Sequence, residues 1–404
     1  MASTTHRVLI IGAGVAAACT ARLLAEKGLD SLVLALGEAP GDGASGNAQG
    51  ALYVKPGMVW NTDNALAMEA LAFASDSYSR WQSQIPEIRF WHPTGLLQVA
   101  WNDAERERLR RLSVSPHYGP ETLRTVSAAE ASALAGITLD QPALWYPQSG
   151  WVQPDRLCGA LLDHPRIEFR GNSRVVALNR DLSGWALTLA DGSTIASASV
   201  LICAGADSSA LMPTDNPLPI KPIRGQVSVL PVTDHDSPRV VVCGDGYVNP
   251  PLDGQQLIGA SFDIGDSEPL PKASSHEENR DRIRAWLPDF PHQWPPTEQW
   301  RGRVGFRATT PDYQPIAGTA WEDDALVNWV RRHPKLRGIA AEAPLQREGL
   351  FVLAGLGSKG LAYSPLLASH LADLITGQPS SLGPELADRV APARFRARQI
   401  RRQS

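Results

Sequence analysis

The run Arg7-Val-Leu-Ile-Ile11 is apolar after its first residue and shows no polar alternation, the pattern of a strand buried on both faces. It is followed by the turn Gly12-Ala-Gly14-Val-Ala-Ala17 and by Ala18-Cys-Thr-Ala-Arg-Leu-Leu-Ala-Glu-Lys27, which Gly28 ends. A second apolar run, Ser31-Leu-Val-Leu-Ala-Leu36, comes next. Strand, glycine turn, helix and strand in this order predict a βαβ unit and a parallel sheet. In such a unit Gly12 permits the tight turn and Gly14 lets the backbone approach a pyrophosphate. Ala17 keeps the helix close to the strand, and the helix N-terminus faces the phosphates. An ordinary βα turn is the alternative reading. The acid that normally closes the second strand and binds a ribose is replaced by Ala35, leaving Glu38 in the following loop as the candidate for that role.

The alternation then changes character. Residues 86–102 and 218–264 read as short strands between Pro, Gly and Asp turns, which predicts an antiparallel sheet inserted into the nucleotide-binding domain. Helical spacing covers 63–84, 103–113, 127–135, 154–163, 276–287 and 361–376. Trp185 to Ile195 reads as a hairpin turning at Asp191-Gly192, and Ala198 to Gly205 as a buried strand returning to the first domain. The expected fold is α/β: a Rossmann-like nucleotide-binding domain over 1–85, 150–215 and 300–380, with an antiparallel-sheet substrate domain over 86–149 and 216–299. A basic tail over 381–404 completes the chain.

With 43% apolar and 20% charged residues, the chain falls outside the polar range of disordered proteins. Its net charge of −4 provides no global field for nucleic acid, so any such contact requires a local patch. Cys19, Cys158, Cys203 and Cys243 form no C-x-x-C pair and suggest neither a disulfide framework nor a zinc site. The nine histidines form no metal motif. No long uncharged apolar run occurs, so a cytoplasmic protein without a membrane span is expected.

A second strand, glycine turn and helix pattern lies near the C-terminus, in Leu350-Phe-Val-Leu-Ala-Gly355-Leu-Gly357-Ser-Lys-Gly360-Leu-Ala. Two such turns suit a cofactor whose two ends both press on backbone, which favours FAD over NAD. Together these segments resemble the D-amino-acid oxidase superfamily of FAD enzymes, from about residue 7 to about residue 402. More closely, six ordered motifs look like the FAD domain of the bifunctional enzymes that complete 5-methylaminomethyl-2-thiouridine at the tRNA wobble position. These are Gly43-Ala-Ser-Gly-Asn-Ala-Gln-Gly-Ala-Leu-Tyr53, Gly150-Trp-Val-Gln-Pro154, Ile223-Arg-Gly-Gln226, Gly246-Tyr-Val-Asn-Pro250, Arg303-Val-Gly-Phe-Arg-Ala-Thr-Thr-Pro-Asp312 and Gly355-Leu-Gly-Ser-Lys-Gly-Leu361. Two departures stand out. Only six residues precede the first strand, so the methyltransferase domain of those enzymes is expected to be missing. Lys359 stands where the family usually has arginine, keeping the charge but losing the planar fork.

The resemblance implies an oxidoreductase acting on the CH–NH group of 5-carboxymethylaminomethyl-(2-thio)uridine in tRNA, releasing glyoxylate and leaving the primary amine, with oxygen as electron acceptor. It implies that Arg307 holds the substrate carboxylate and that Tyr247 adds a hydroxyl to it; a structural ion pair of Arg307 or Arg303 and a core role for Tyr247 are the alternatives. Noncovalent FAD would be held by Gly12, Gly14, Ala17, Glu38, Ser45, Gly46, Asn47, Gln49, Gly205, Gly355, Gly357, Ser358, Lys359, Gly360 and Leu361, with the backbone of Val175 and Val176 pairing with adenine. Two basic clusters, six arginines between 389 and 402 and Arg331-Arg-His-Pro-Lys335, are candidates for tRNA contact or for solvated ends. A free amino-acid oxidase of the glycine or sarcosine type shares every residue named. A non-catalytic flavin- and tRNA-binding protein is the third reading.

Overall fold

The computed structural model describes residues 7–181, 184–213, 216–232, 237–290, 294–334, 339 and 346–403. The chain divides into two units, one of residues 1–46, 155–222 and 307–404, the other of 47–154 and 223–306. Strands and helices are numbered along the chain.

The first unit is built on a six-stranded sheet in the order β20-β21-β13-β1-β2-β9. β1 (Arg7–Ile11), β2 (Asp30–Leu34), β9 (Ile167–Arg170), β13 (Ser199–Ile202) and β21 (Gln346–Ala354) run parallel, and β20 (Ile316–Trp321) closes the edge antiparallel. Val8 to Ile11 and Leu32 to Leu34 are all buried, as expected of strands covered on both faces. α1 (Val15–Glu26) packs against α8 (Gly360–Ile375), and its Ala17, Ala18 and Ala21 are fully buried. A separate sheet of β10 (Val175–Asp181), β11 (Gly184–Leu189) and β12 (Thr194–Ser197) turns Trp185, Leu187 and Leu189 of β11 into the same core as β1 and β21. α5 (Pro154–Leu162), α7 (Asp323–Arg332), α9 (Pro384–Val390) and α10 (Arg394–Gln403) complete the helices described for this unit, α5 starting at its boundary.

The second unit carries a nine-stranded, mostly antiparallel sheet. Its order is β18 (Asp263–Ile264), β14 (Lys221–Pro231), β17 (Gln255–Gly259), β16 (Gly246–Val248), β15 (Val241–Gly244), β5 (Leu96–Val99), β7 (Ala143–Tyr146) and β6 (Arg124–Val126), with β19 (Arg301–Thr309) pairing to β14. A smaller sheet joins β3 (Gly50–Leu52), β8 (Gly150–Val152) and β4 (Trp91–His92). α2 (Thr62–Gln84), α3 (Asp103–Leu112) and α4 (Ala128–Ala135) begin at Asn61, Asn102 and Ser127, whose side chains each accept a backbone N–H of the first turn. α6 (Ala273–Trp286) contributes Ile283 and Trp286 to the core.

Several expectations change. Residues 47–85 belong to the second unit rather than the nucleotide-binding one, because β3 pairs with β8 in the register Gly50↔Val152 to Leu52↔Gly150. β2 ends at Leu34, and Leu36 is exposed. The expected tail over 381–404 instead contains α9 and α10 and belongs to the first unit. α7 was also absent from the sequence reading. Lys335 of the second basic cluster lies outside the described residues. Among those described, no helix is long and apolar enough to cross a membrane.

Candidate functional site

The parallel strands of the first unit end in a row of glycines. Gly12 follows β1 with φ +108°, and a Cβ there would fall 2.3 Å from the carbonyl oxygen of Cys203, just beyond β13. Its N–H donates to the Leu34 carbonyl at 2.8 Å, tying the turn to β2. Gly12 therefore stands where β1, β2 and β13 come together, and the connections from β1 and β13 run to opposite sides, the place where open α/β sheets bind ligands. Gly14 caps α1 in extended conformation with no side-chain hydrogen bond of its own, and no acid occupies the first turn. Across the sheet, Gly355 (φ +71°) and Gly357 (φ +57°) turn β21 into α8, with the Gly357 N–H donating to the Ala308 carbonyl at 2.7 Å. α8 also begins without a side-chain cap or a first-turn acid, at Lys359. A Cβ on Gly360 would lie 3.6 Å from Val15 Cγ1, so the two helix N-termini adjoin. Ser358 sits in the turn before α8, and Leu361 occupies its first turn. Gly205 starts a short 3-10 turn after β13 at φ +58°, with open space beside it.

The loop 41–46 closes over α1. The Gly41 N–H donates to the Ala13 carbonyl at 2.9 Å, and Ser45 Oγ accepts the Val15 N–H at 3.0 Å, doing for α1 what a capping side chain does. A Cβ on Gly14 would stand 3.0 Å from that oxygen. Gly46 donates to the Gly43 carbonyl at 3.2 Å. Ala35 is buried and its N–H donates to the Arg170 carbonyl, whereas Glu38 is exposed in the loop after β2. The β10–β11 register shifts between Val175 and Ala177, leaving Val175 buried and Val176 half-exposed at the irregularity.

Two residues expected beside the cofactor have partners elsewhere. Gln49 is buried in the second unit and its amide donates to the Pro250 carbonyl at 2.9 Å, while Asn47 Oδ1 accepts from Arg303 at 3.1 Å. Both polar side chains tie strand ends and loops of that unit together, a role that turn-rich spacing does not reveal.

In the second unit Tyr247 lies on β16, paired with Cys243 and Gly259, and its hydroxyl is 3.3 Å from where a Gly259 Cβ would stand. A side chain at Gly259 would press on the phenol. Arg307 is half-buried on β19 in the first unit, at the boundary where that strand leaves the second. The Ile223-Arg-Gly-Gln226 motif is a structural knot: Arg224 is fully buried and donates to Asp263 at 2.9 Å and to the carbonyls of Glu268 and Leu270. Gln226 fastens both sides of Lys272. Tyr53, in the first motif of the second unit, donates to Gln98 at 2.6 Å in a network that includes the buried Glu105 and Arg108 and the exposed Lys55. Burial raises the Glu105 pKa, but hydrogen bonds from Lys55 and Arg108 outweigh it and hold the carboxyl below its ordinary value.

The C-terminal arginines are largely spoken for. Asp312 pairs with Arg389 at 2.9 Å, Arg394 at 3.1 Å and Arg398 at 3.8 Å, and Asp323 pairs with Arg396 at 2.9 Å. Burial works to raise the Asp312 pKa, yet Arg394 and Arg389 bring it down to about 2. The arginines are visible as a run in the sequence, but their carboxylate partners lie about 70 to 80 positions earlier in the chain, where no local signal marks them.

Two adjoining helix N-termini, neither carrying an acid and both reached through glycines, suit an anionic dinucleotide and a ring that bonds to backbone. The residues present therefore fit FAD. Comparisons with known proteins agree. The family model for FAD dependent oxidoreductases (DAO) matches residues 7–374. The chain is 41% identical over 399 residues to the tRNA 5-methylaminomethyl-2-thiouridine biosynthesis bifunctional protein MnmC of Marinobacter nauticus, covering 98% of this chain and 59% of that protein. The protein of the same name from Chromohalobacter salexigens is 37% identical, with 97% and 57% covered. The chain thus spans under two thirds of these relatives. Among solved structures, glycine oxidase from Geobacillus kaustophilus has a TM-score of 0.76 at 23% identity, covering 94% of this chain and 97% of that one. L-proline dehydrogenase from P. horikoshii has a TM-score of 0.76 at 17% identity, covering 97% and 98%.

Proposed function

The chain belongs to the FAD dependent oxidoreductase (DAO) family, with FAD as its cofactor, and from that premise we propose that it oxidises the CH–NH group of 5-carboxymethylaminomethyl-(2-thio)uridine at the tRNA wobble position. The observation that carries the tRNA part is the match along 98% of the chain to a protein named for tRNA thiouridine biosynthesis. The reading places the protein in the cytoplasm with its RNA.

Held at the turns of Gly12, Gly14, Gly355 and Gly357, FAD would supply the two-electron oxidant for the carboxymethyl carbon beside nitrogen. The nitrogen lone pair forms the C=N bond as the hydride leaves, water adds to the resulting iminium carbon, and the C–N bond breaks to give glyoxylate and the primary amine. Within this reading the protein orients the substrate by its carboxylate and keeps the amine neutral, because a protonated nitrogen has no lone pair to give. Arg307 takes the carboxylate: a guanidinium fork matches a planar anion with two parallel hydrogen bonds. Tyr247 supplies a hydroxyl to the substrate. Glu38 serves the ribose in place of the acid missing at Ala35, and oxygen takes the electrons.

The test is anaerobic mixing of the flavoprotein with tRNA carrying the carboxymethylaminomethyl group, with glycine and sarcosine in parallel. Bleaching of the flavin by the tRNA, with glyoxylate released, is expected. Bleaching by the free amino acids alone would make the protein an amino-acid oxidase, and no bleaching by any amine would leave a binding protein. Arg307→Ala is expected to keep FAD while flavin reduction falls at least a hundredfold, about 3 kcal/mol for a lost charged contact; unchanged turnover removes Arg307 from the site.

A further inference from the structure

We propose that a groove along α10 seats the phosphate backbone of the RNA substrate, an inference that rests on the tRNA reading above. The groove has a volume of about 450 Å³ and is lined by Pro311, Phe395, Arg398, Gln399, Arg402 and Gln403. Positions 395, 398, 399, 402 and 403 recur at helical spacing, so one face of α10 forms its floor. The opposite face is spent on the core, where Ala397 and Ile400 are buried.

The charge of this groove is unbalanced by construction. Asp312, next in sequence to the lining residue Pro311, is paired with three guanidiniums, those of Arg389, Arg394 and Arg398. Arg394 is buried and close to Asp312, whereas Arg398 stands off at 3.8 Å with its side chain 49% exposed. Arg402 lies one turn further along, exposed, and no acid occurs between 394 and 403. α7, which packs against α10, begins with Asp323 and Asp324, the first paired to Arg396, and ends in Arg331 and Arg332, so Asp312 and Asp323 are acids set against the six arginines between 389 and 402. On a chain of net charge −4 this is a local positive field, the footprint of a phosphate-binding surface.

The side chains also suit RNA in kind. The guanidinium carbons of Arg394 and Arg398 lie 4.2 and 5.6 Å from the Phe395 ring centroid, so both cations rest over the aromatic ring. Phe395 is partly buried against the core. Gln399 and Gln403 add amide donors for phosphate or sugar oxygens. An acidic peptide would be drawn by the same charges, but it makes less use of the aromatic ring and the amides.

The experiment uses the full, FAD-loaded chain and follows binding of tRNA carrying the carboxymethylaminomethyl group by fluorescence anisotropy across a salt series. Arg398→Gln/Arg402→Gln is expected to weaken binding roughly tenfold near 0.15 M salt and to flatten the slope of log affinity against log salt by about 1.4–1.8. Flavin bleaching by the free modified nucleoside should stay unchanged. Arg110→Gln/Arg111→Gln, which removes two exposed arginines paired to Glu107 on α3, controls for net charge and should bind as the parent does. Unchanged tRNA affinity in the α10 variant, an equal loss in the α3 control, or competition by polyglutamate as strong as by tRNA would each overturn the proposal. If the parent binds no tRNA, the substrate reading itself fails, and the groove with it. Should the double variant also lose nucleoside turnover through misfolding, Arg402→Gln alone decides, since Arg402 lies a full turn beyond the Asp312 cluster: weaker tRNA binding supports the groove, and unchanged binding overturns it.

Discussion

A methyl group at position 12 would meet the Cys203 carbonyl oxygen at 2.3 Å while the backbone holds φ at +108°. Gly12→Ala therefore combines a clash with backbone and a conformation that costs alanine about 1–3 kcal/mol. We expect this variant to purify without flavin, read from the ratio of visible to ultraviolet absorbance; full FAD content would show that the β1–β13 approach is not needed for binding. Asp312 offers a second single-residue test. Its carboxyl titrates near 2 when folded against an ordinary 3.8, so its stabilising contribution is present above pH 3.8 and is lost as pH falls towards 2. Asp312→Asn leaves Arg394 buried without a counter-charge and should cost about 3 kcal/mol in chemical denaturation. A cost under about 0.5 kcal/mol would mean that the cluster is merely surface charge.

Among the elements, α8 carries a buried histidine. His370 hydrogen-bonds Ser380 Oγ at 2.7 Å, and burial pushes its pKa down to about 4 even though Asp373 pulls the other way. Between the ordinary value of 6.5 and about 4 the unfolded chain takes up a proton that the folded chain refuses, so stability falls as pH falls through that window, by about 3 kcal/mol at its lower end. His370→Gln should flatten the melting temperature against pH over this range; an unaltered profile would assign the acid sensitivity to other groups. The same scale shows what the sequence makes legible. The β1–α1–β2 unit could be read because its apolar runs and glycines obey local rules, and β11 because its burial alternates residue by residue. α10 could not: its buried positions, Arg394, Ala397 and Ile400, include an arginine, and the carboxylate that makes that burial tolerable is Asp312, far off in sequence. α7 likewise hides Leu326 and Val330 among charged residues.

For the whole molecule, the glycine turns that suit FAD belong to the first unit, so added FAD should raise its melting temperature in proportion to the logarithm of concentration, by about 2.7 kcal/mol of stability at a hundred times the dissociation constant. A melt insensitive to FAD would count against binding at these turns. The domain boundary at residues 46 and 47 was not legible because it depends on β3 pairing with β8, about a hundred residues away, whereas propensity reports only on near neighbours. Candidate site residues divided in the same way. Gly12, Gly14, Gly355 and Gly357 could be named from turn chemistry, while the hydrogen bonds of Gln49 and Asn47 depend on residues brought near only by the fold.

β1 begins at residue 7, yet its neighbour β13 starts at 199, and β21, the next strand out, ends at 354. A ribosome adding about 5–20 residues per second takes tens of seconds to travel that distance. Until β13 is made the first strand has only β2 to pair with, β9 joining later on the far side of β2, and the other edge of β1 stays open. Newly made chains should therefore depend on protection of that edge during synthesis, more than a protein whose sheet closes in the order in which it is made.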